Sequence, residues 1–458
     1  MRLPLLLLAS LALGAHLGAQ TPSQDPDAAM LRRIYDAALT DSPLYNQLGE
    51  LVEKFPGRLS GSKNLEGAVQ WSKALLEKQG VDRLELQPVM VPHWERGAAE
   101  SVRFIGSDGR SAALAAFALG GSVPTPAGGL RAPVIELHSI EALKTSDVKG
   151  KIVFFNRPMR PQDVIPGTAY GSAGDQRNRG PAEAAKYGAL GVLTRSLTHA
   201  LDDNPHTGNT TYLPEAPRIP AAALSTIAAN RLSAALKADP ALQAELVINS
   251  RWFDDALSHN VIGEIRGSEN PEKIILVGGH LDSWDVTPGA HDDGSGVVQS
   301  IEVLRLLQVL GYKPRHTIRC VLFTSEENSL RGALEYARIV DEKKEVHLLA
   351  LESDNGGFQP HGFQLGNTLG NAHTRAARWA KLFEPYRITT FESGNGGADV
   401  GPLMAKGYTV GEILPDSQRY SDYHHTTIDT MDKVNPRELQ LGAAAMTALV
   451  YLFDQHGQ

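Results

Sequence analysis

The chain has 458 residues, 42% of them hydrophobic and 21% charged, with a formal net charge of −8 at pH 7. That is the make-up of a globular protein of two or three domains. The acidic balance and the lack of a basic cluster exclude a nucleic-acid-binding role, and no segment predicts a membrane-spanning helix.

In chain order, MRLPLLLLASLALGAHLGA (residues 1–19) reads as a signal peptide. Arg2 gives the charged start, residues 3–13 the apolar stretch, and small residues lead to cleavage after Ala19. Export to a periplasm or the extracellular medium is the expectation. LRRIYDAALT and NLEGAVQWSKALLEKQG have helical spacing, with Gly80 ending the second, and LELQPVMV predicts a strand. From Gly106 the composition shifts toward Gly, Pro and Ala. There KIVFF (151–155) and GVLT (191–194) predict short strands, and PAEAAKYGA (181–189) a helix feeding the second. A small α/β domain is therefore expected over residues 106–252, inserted between a first part at 28–105 and a main part at 253–456.

In the main part strands and helices alternate. KIILVGG predicts a buried strand and GVVQSIEVLRLLQVLG a helix ended by Gly311. TIRCVLFTS is the next strand, and its Cys320, the chain's single cysteine, reads as a core residue. A helix (GALEYARIV) and two strands (HLLALES and YTVGEIL) follow. Asn435-Pro436 then caps a long apolar helix. Such alternation predicts an α/β fold, a mostly parallel sheet with helices on both faces. Its site should lie beyond the carboxyl ends of the strands.

Those ends are where the acidic and imidazole side chains gather. His280 and Asp282 follow KIILVGG, and Asp292 and Asp293 lie in a glycine-flanked loop before the helix. Glu326 and Glu327 follow TIRCVLFTS, Asp354 follows HLLALES, and His424 and His425 come after YTVGEIL. A set of His, Asp and Glu without Cys suits zinc. Five ligands exceed what one catalytic zinc takes, so two metals sharing a carboxylate fit better. One would take His280 and a carboxylate, the other a carboxylate and His425, with Asp292 between them. The Glu326–Glu327 pair then offers one ligand and one general base. Neighbours on an extended strand point to opposite sides, so the turn after the strand must bring both inward.

The motifs GGHLDSWDV…GAHDDGSG, FTSEE, ESDNGG and HTTIDT, in that order, resemble those of the co-catalytic di-zinc exopeptidases. The likeness is to the branch that includes plasma glutamate carboxypeptidase, and it extends through most of residues 28–456. The resemblance implies two Zn²⁺ per chain. It assigns His280 and Asp354 to one, Glu327 and His425 to the other, and Asp292 to both. It also implies Glu326 as general base and Asp282 as the carboxylate orienting His280, with Asp429 in the same relation to His425. A cis peptide after Asp292 belongs to the pattern. His424 is the alternative to His425, which the His-x-x-x-Asp-Thr spacing favours. VKGKIVFF, AAKYGALGVL and RIPAAALS resemble an inserted protease-associated domain, and GNGGADVGPL (394–403) a loop that shapes the substrate pocket. The activity implied is hydrolysis of dipeptides or short peptides, with a peptide as the partner and a homodimer expected from the resemblance alone. The rivals are an aminopeptidase of the same family, a metal-free binding domain on this fold, and a single-zinc glutaminyl cyclase. The full ligand set argues against the second, and the inserted domain and di-metal set against the third.

Overall fold

A computed structural model describes residues 25–457. The signal peptide expected at residues 1–19 lies outside the described residues. The main sheet has eight strands in the order Arg83–Val91, Ala256–Ile265, His316–Phe323, Asn270–His280, Val346–Glu352, Val410–Pro415, Pro360–Gly366 and Thr390–Ser393. Its centre is parallel, from His316–Phe323 across to Val410–Pro415. Both flanks bring in antiparallel pairs. The mostly parallel sheet expected from the sequence is thus a mixed one. The antiparallel strand Ala256–Ile265 runs into Asn270–His280 with no helix between them, and Val346–Glu352 likewise runs into Pro360–Gly366, so the αβ rhythm did not reveal these pairings.

Alternation along the central strands divides the core between the two faces. Ile275, Val277, Ile318, Cys320 and Leu322 point into one cluster, with the helices Pro26–Thr40, Lys63–Gln79, Ser295–Val309 and Pro436–His456. Ile274, Leu276, Val321 and Phe323 point into the other, against Arg331–Lys343. Helices cover both faces. Cys320 is fully buried and free. The C-terminal helix begins as its sequence implies: Asn435 accepts from the Arg437 and Glu438 N–H groups and Pro436 follows it. Among the described residues no helix is long and apolar enough to cross a membrane.

A second eight-stranded sheet draws all its strands from residues between Ser101 and Val247 and has two apolar clusters of its own. Its parallel centre is Leu130–Leu137, Ile152–Phe155, Gly191–Arg195 and Ala221–Leu224. Ser101–Ile105, placed by the sequence in the first part of the chain, pairs here with Gln243–Val247. Its partner lies far along the chain, which no local pattern reveals.

The helix Ser295–Val309 starts at the end of the central strand, and close approach there depends on glycine. A Cβ on Gly296 would meet the Ser353 carbonyl and the Asp293 carboxylate. Gly296→Ala is expected to destabilise the fold by about 1–3 kcal/mol through overpacking. Thermal unfolding followed by circular dichroism checks this, and an unchanged midpoint would refute it.

Candidate metal centre

The parallel strands end level with one another: His280 pairs with Phe323, and Gly278 with Glu352. The residues that follow these ends therefore meet in one place. His280 Nε2 lies 3.2 Å from Asp292 Oδ1 and 3.3 Å from Asp354 Oδ1. Asp292 Oδ2 faces the other way, 3.4 Å from His425 Nε2 and 3.5 Å from His424 Nε2. Glu327 Oε2 is 3.1 Å from His425 Nε2. Glu326 lines the adjoining cavity of about 430 Å³ with Asp354, Tyr170 and Tyr420. All five ligand candidates named from the sequence, with Glu326, come together. His424 stacks on His425 with ring centroids 3.5 Å apart, so both imidazoles reach the same carboxylate oxygen.

Three further carboxylates are buried here and are spent on backbone. Asp282 accepts the N–H groups of Glu326 and Glu327, at 3.1 and 3.3 Å. It is these two bonds that turn both glutamates inward after the strand. His280 Nδ1 lies 3.0 Å from the Asp282 carbonyl oxygen and 3.7 Å from its carboxylate. Asp293 accepts from the N–H groups of His280 and Gly296. The Asp292–Asp293 peptide is cis. Asp429 accepts the N–H groups of His291 and Asp292, at 2.8 and 3.1 Å, and so does not orient His425. That part falls to the Thr207 carbonyl, 3.2 Å from His425 Nδ1. Thr207 comes from the segment that forms the second sheet, and its own N–H donates to the His425 carbonyl. His425 is held in the left-handed region at φ +64°, a conformation that histidine adopts more readily than most residues.

Sequence reading also missed Arg58. It is fully buried and donates to the carbonyls of Leu281, Pro288 and Gly289 at 2.6, 2.6 and 2.9 Å. It thereby shapes the loop between His280 and Asp292. Its charge interacts with Asp429, Asp282, Asp293 and Asp292. Nothing in the surrounding FPGRLSG singles out a buried arginine.

The donors fit a bound cation. Asp292 Oδ2 and Asp354 Oδ1 are buried and without a hydrogen-bond partner. Burial, reinforced by Asp354, Asp282 and Asp292 and opposed by His280, pushes Glu326 up to about 8. Burial likewise raises Glu327 and Asp354, with Asp292 adding to it. Burial holds His424 down at about 4 and His425 well below its ordinary value, whereas at His280 the Asp354 and Asp292 carboxylates outweigh burial and hold the imidazole well above its own. His280, Asp292 and Asp354 form one compact donor group, and Asp292, His424 and His425 another.

Residues 260–450 match the model of peptidase family M28. Over 410 residues the chain is 35% identical to carboxypeptidase Q of Bos taurus, covering 89% of this chain and 84% of that protein. The human carboxypeptidase Q matches equally, at 35% over 412 residues. A solved structure of a peptidase M28 precursor from Shewanella amazonensis SB2B superposes with a TM-score of 0.89 at 33% identity, over 93% of this chain and 96% of that one. The zinc aminopeptidase BSAP of Bacillus subtilis shares the fold, with a TM-score of 0.64 at 22% identity over 89% and 94% of the two chains.

Arg58→Met would leave three buried carbonyls unmatched and several carboxylates without their buried cation. Breaking such an arrangement costs about 3–5 kcal/mol. A lowered unfolding midpoint by differential scanning calorimetry is the expected outcome, and a midpoint equal to wild type would remove Arg58 from its place in the site.

Proposed function

We propose that this chain, which belongs to peptidase family M28 and is a metallo-exopeptidase, holds two zinc ions and hydrolyses dipeptides or short peptides in the manner of a carboxypeptidase Q. The observation that carries this reading is the position of Asp292. Its two carboxylate oxygens face two different histidine-containing donor sets, His280 with Asp354 and His425 with Glu327. A shared carboxylate is what a two-metal centre uses. Zinc is favoured by a donor set of imidazole and carboxylate without thiolate.

In this reading His280 and Asp354 hold one ion, Glu327 and His425 the other, and Asp292 both. His425 is preferred to His424 because Glu327 approaches it and Thr207 fixes its other nitrogen. Bound zinc supplies Lewis acidity toward the scissile carbonyl and makes a neighbouring water easier to deprotonate. Glu326 borders the cavity and serves as general base. It takes a proton from the attacking water onto its carboxylate and passes it to the nitrogen of the leaving amine. Asp282 acts through Glu326 and Glu327, whose backbone it holds. The remainder of the reading is that residues 106–252 form an inserted protease-associated domain between catalytic parts 28–105 and 253–456. Its support is the self-contained second sheet. Export rests on the pattern of residues 1–19, and a homodimer on the family resemblance.

Glu326→Gln keeps the shape and loses the base. Zinc content by plasma mass spectrometry should stay at two per chain while turnover falls about 10²- to 10⁴-fold. A variant close to wild type in turnover would remove Glu326 from this role. A dipeptide panel, each member free, N-acetylated or C-amidated, tests the activity itself by mass spectrometry. Cleavage of the N-acetylated and not the C-amidated members is the expected result, and the reverse would make the enzyme an aminopeptidase.

A further inference from the structure

The second sheet has a cavity of its own, about 460 Å³, which shares no lining residue with the one beside the metal centre. It lies at the carboxyl ends of three parallel strands, where open α/β sheets bind ligands. Val134, Phe154 and Leu193 of these strands belong to the apolar cluster that also takes in Ala228, Ala229 and Leu232 of the helix Thr226–Ala238. Two residues further along, on the same side, come Glu136, Asn156 and Arg195, and these line the cavity. Asn156 continues the ladder through its N–H to the Leu137 carbonyl. The helix completes the wall with Asn230, Ser233 and Lys237, which fall on one face at i, i+3 and i+7. We propose that this cavity is a binding site for a free α-amino acid, whose carboxylate meets Arg195 and Lys237 and whose ammonium group meets Glu136.

The arrangement of charge is the first argument. Arg195 is partly buried. Its Nη1 donates to Asn230 Oδ1 at 2.7 Å and to Asn156 Oδ1 at 3.3 Å, and its Nε is buried without a partner. Burial lowers its pKa, and no neighbouring carboxylate raises it again. Glu136 accepts from Asn156 Nδ2 at 2.6 Å and from the Ser233 hydroxyl at 2.9 Å. Its one charged contact among the described residues is the exposed His138, 3.6 Å away. A cation and an anion thus share one cavity without pairing. A buried N–H without an acceptor is costly, and a ligand carboxylate removes that cost while matching the guanidinium fork.

Spacing is the second. The Asn156 amide stands between the two charges, donating to Glu136 and accepting from Arg195. The ammonium nitrogen and carboxylate oxygen of an α-amino acid are separated by one more bond than the nitrogen and oxygen of an amide. A single amino acid therefore spans the same gap. The ends of a dipeptide lie further apart by up to about 3.6 Å. A simple anion would satisfy Arg195 but would face the Glu136 carboxylate.

The test is isothermal titration calorimetry of the full-length mature protein, zinc-loaded, with glycine, L-alanine, L-leucine, L-phenylalanine, L-glutamate and L-lysine. Propionate, which lacks the amine, and L-alaninamide, which lacks the carboxylate, are titrated for comparison. Hydrogen–deuterium exchange locates the bound molecule. The expected result is binding of at least one amino acid, with protection of the segments that hold Glu136, Asn156, Arg195 and the helix Thr226–Ala238. Arg195→Gln should weaken it about 10- to 100-fold. Lys237 is exposed, so Lys237→Met keeps the fold and should weaken binding about 2- to 5-fold. Glu136→Gln should weaken the amino acid but not propionate. Unfolding midpoints are measured alongside. Absence of binding by every amino acid tested would overturn the inference, as would unchanged affinity in folded Arg195→Gln and Lys237→Met. Protection confined to the segments around His280, Glu326 and His425 would overturn it by placing the amino acid at the metal centre. Propionate binding as tightly as the amino acids, with Glu136→Gln without effect, would overturn it in favour of a simple anion site.

Discussion

The structure turns on a concentration of buried negative charge. Asp282, Asp292, Asp293, Glu327 and Asp429 are all buried where the central strands end, and Glu326 and Asp354 are only partly exposed beside them. Carboxylates in such a place are costly unless hydrogen-bonded or matched by positive charge. Arg58 supplies one charge from beneath. The imidazoles are held neutral on the His424–His425 side. The remaining imbalance calls for bound positive charge, and the unpartnered oxygens of Asp292 and Asp354 lie where it is needed.

These carboxylates divide by what they accept from. Asp282, Asp293 and Asp429 take backbone N–H groups from other elements, and each bond fixes the start of a segment that carries a donor. Asp282 fixes the Glu326–Glu327 turn, Asp293 the end of the central strand at His280, and Asp429 the loop at Asp292. Charge-assisted bonds of this type are stronger than neutral ones. They place the donors before any ion arrives, so little of the binding free energy goes into ordering the protein. The acidic residues that bind backbone are in this sense what positions the candidate ligands.

This division also explains what was legible in the sequence. His280, Asp292, Glu326, Glu327, Asp354 and His425 could be read because each stands just beyond a predicted strand or in its following loop, and parallel topology aligns such ends. The interactions that fix them could not. The Thr207 carbonyl is a backbone group, which every residue has, and nothing local marks it as the partner of an imidazole 218 positions away. Arg58 looks like any surface arginine between a Pro-Gly turn and a helix cap. The family resemblance placed the Asp429 carboxylate with His425, whereas the loop folds it back under Asp292. Strand assignment failed for the same reason at Ser101–Ile105, whose partner is distant. Short-range pattern identifies which residues carry chemistry, and long-range backbone pairing decides how they are held.

The second sheet consequently belongs to the centre and not only to its surroundings. Thr207 is itself tied down, its hydroxyl donating to the Ala118 carbonyl at 2.9 Å and accepting from Arg96 at 3.3 Å. Arg96 in turn makes a bidentate pair with Asp285, at 2.7 Å for both contacts, in the loop that follows His280. Beside it Trp284 is wholly buried. Its backbone N–H donates to Glu327 Oε1 at 3.2 Å and its ring meets the edge of His425. The ring is accommodated because Gly120, adjoining a strand of the second sheet, has no side chain where a Cβ would meet it. Two of the donors, Glu327 and His425, thus depend for their positions on residues between Ala118 and Thr207. A catalytic sheet separated from that segment would keep His280, Asp354 and Asp292 in place through its own backbone bonds. It would lose the restraint on His425, and the two halves of the centre are therefore unequal in what supports them.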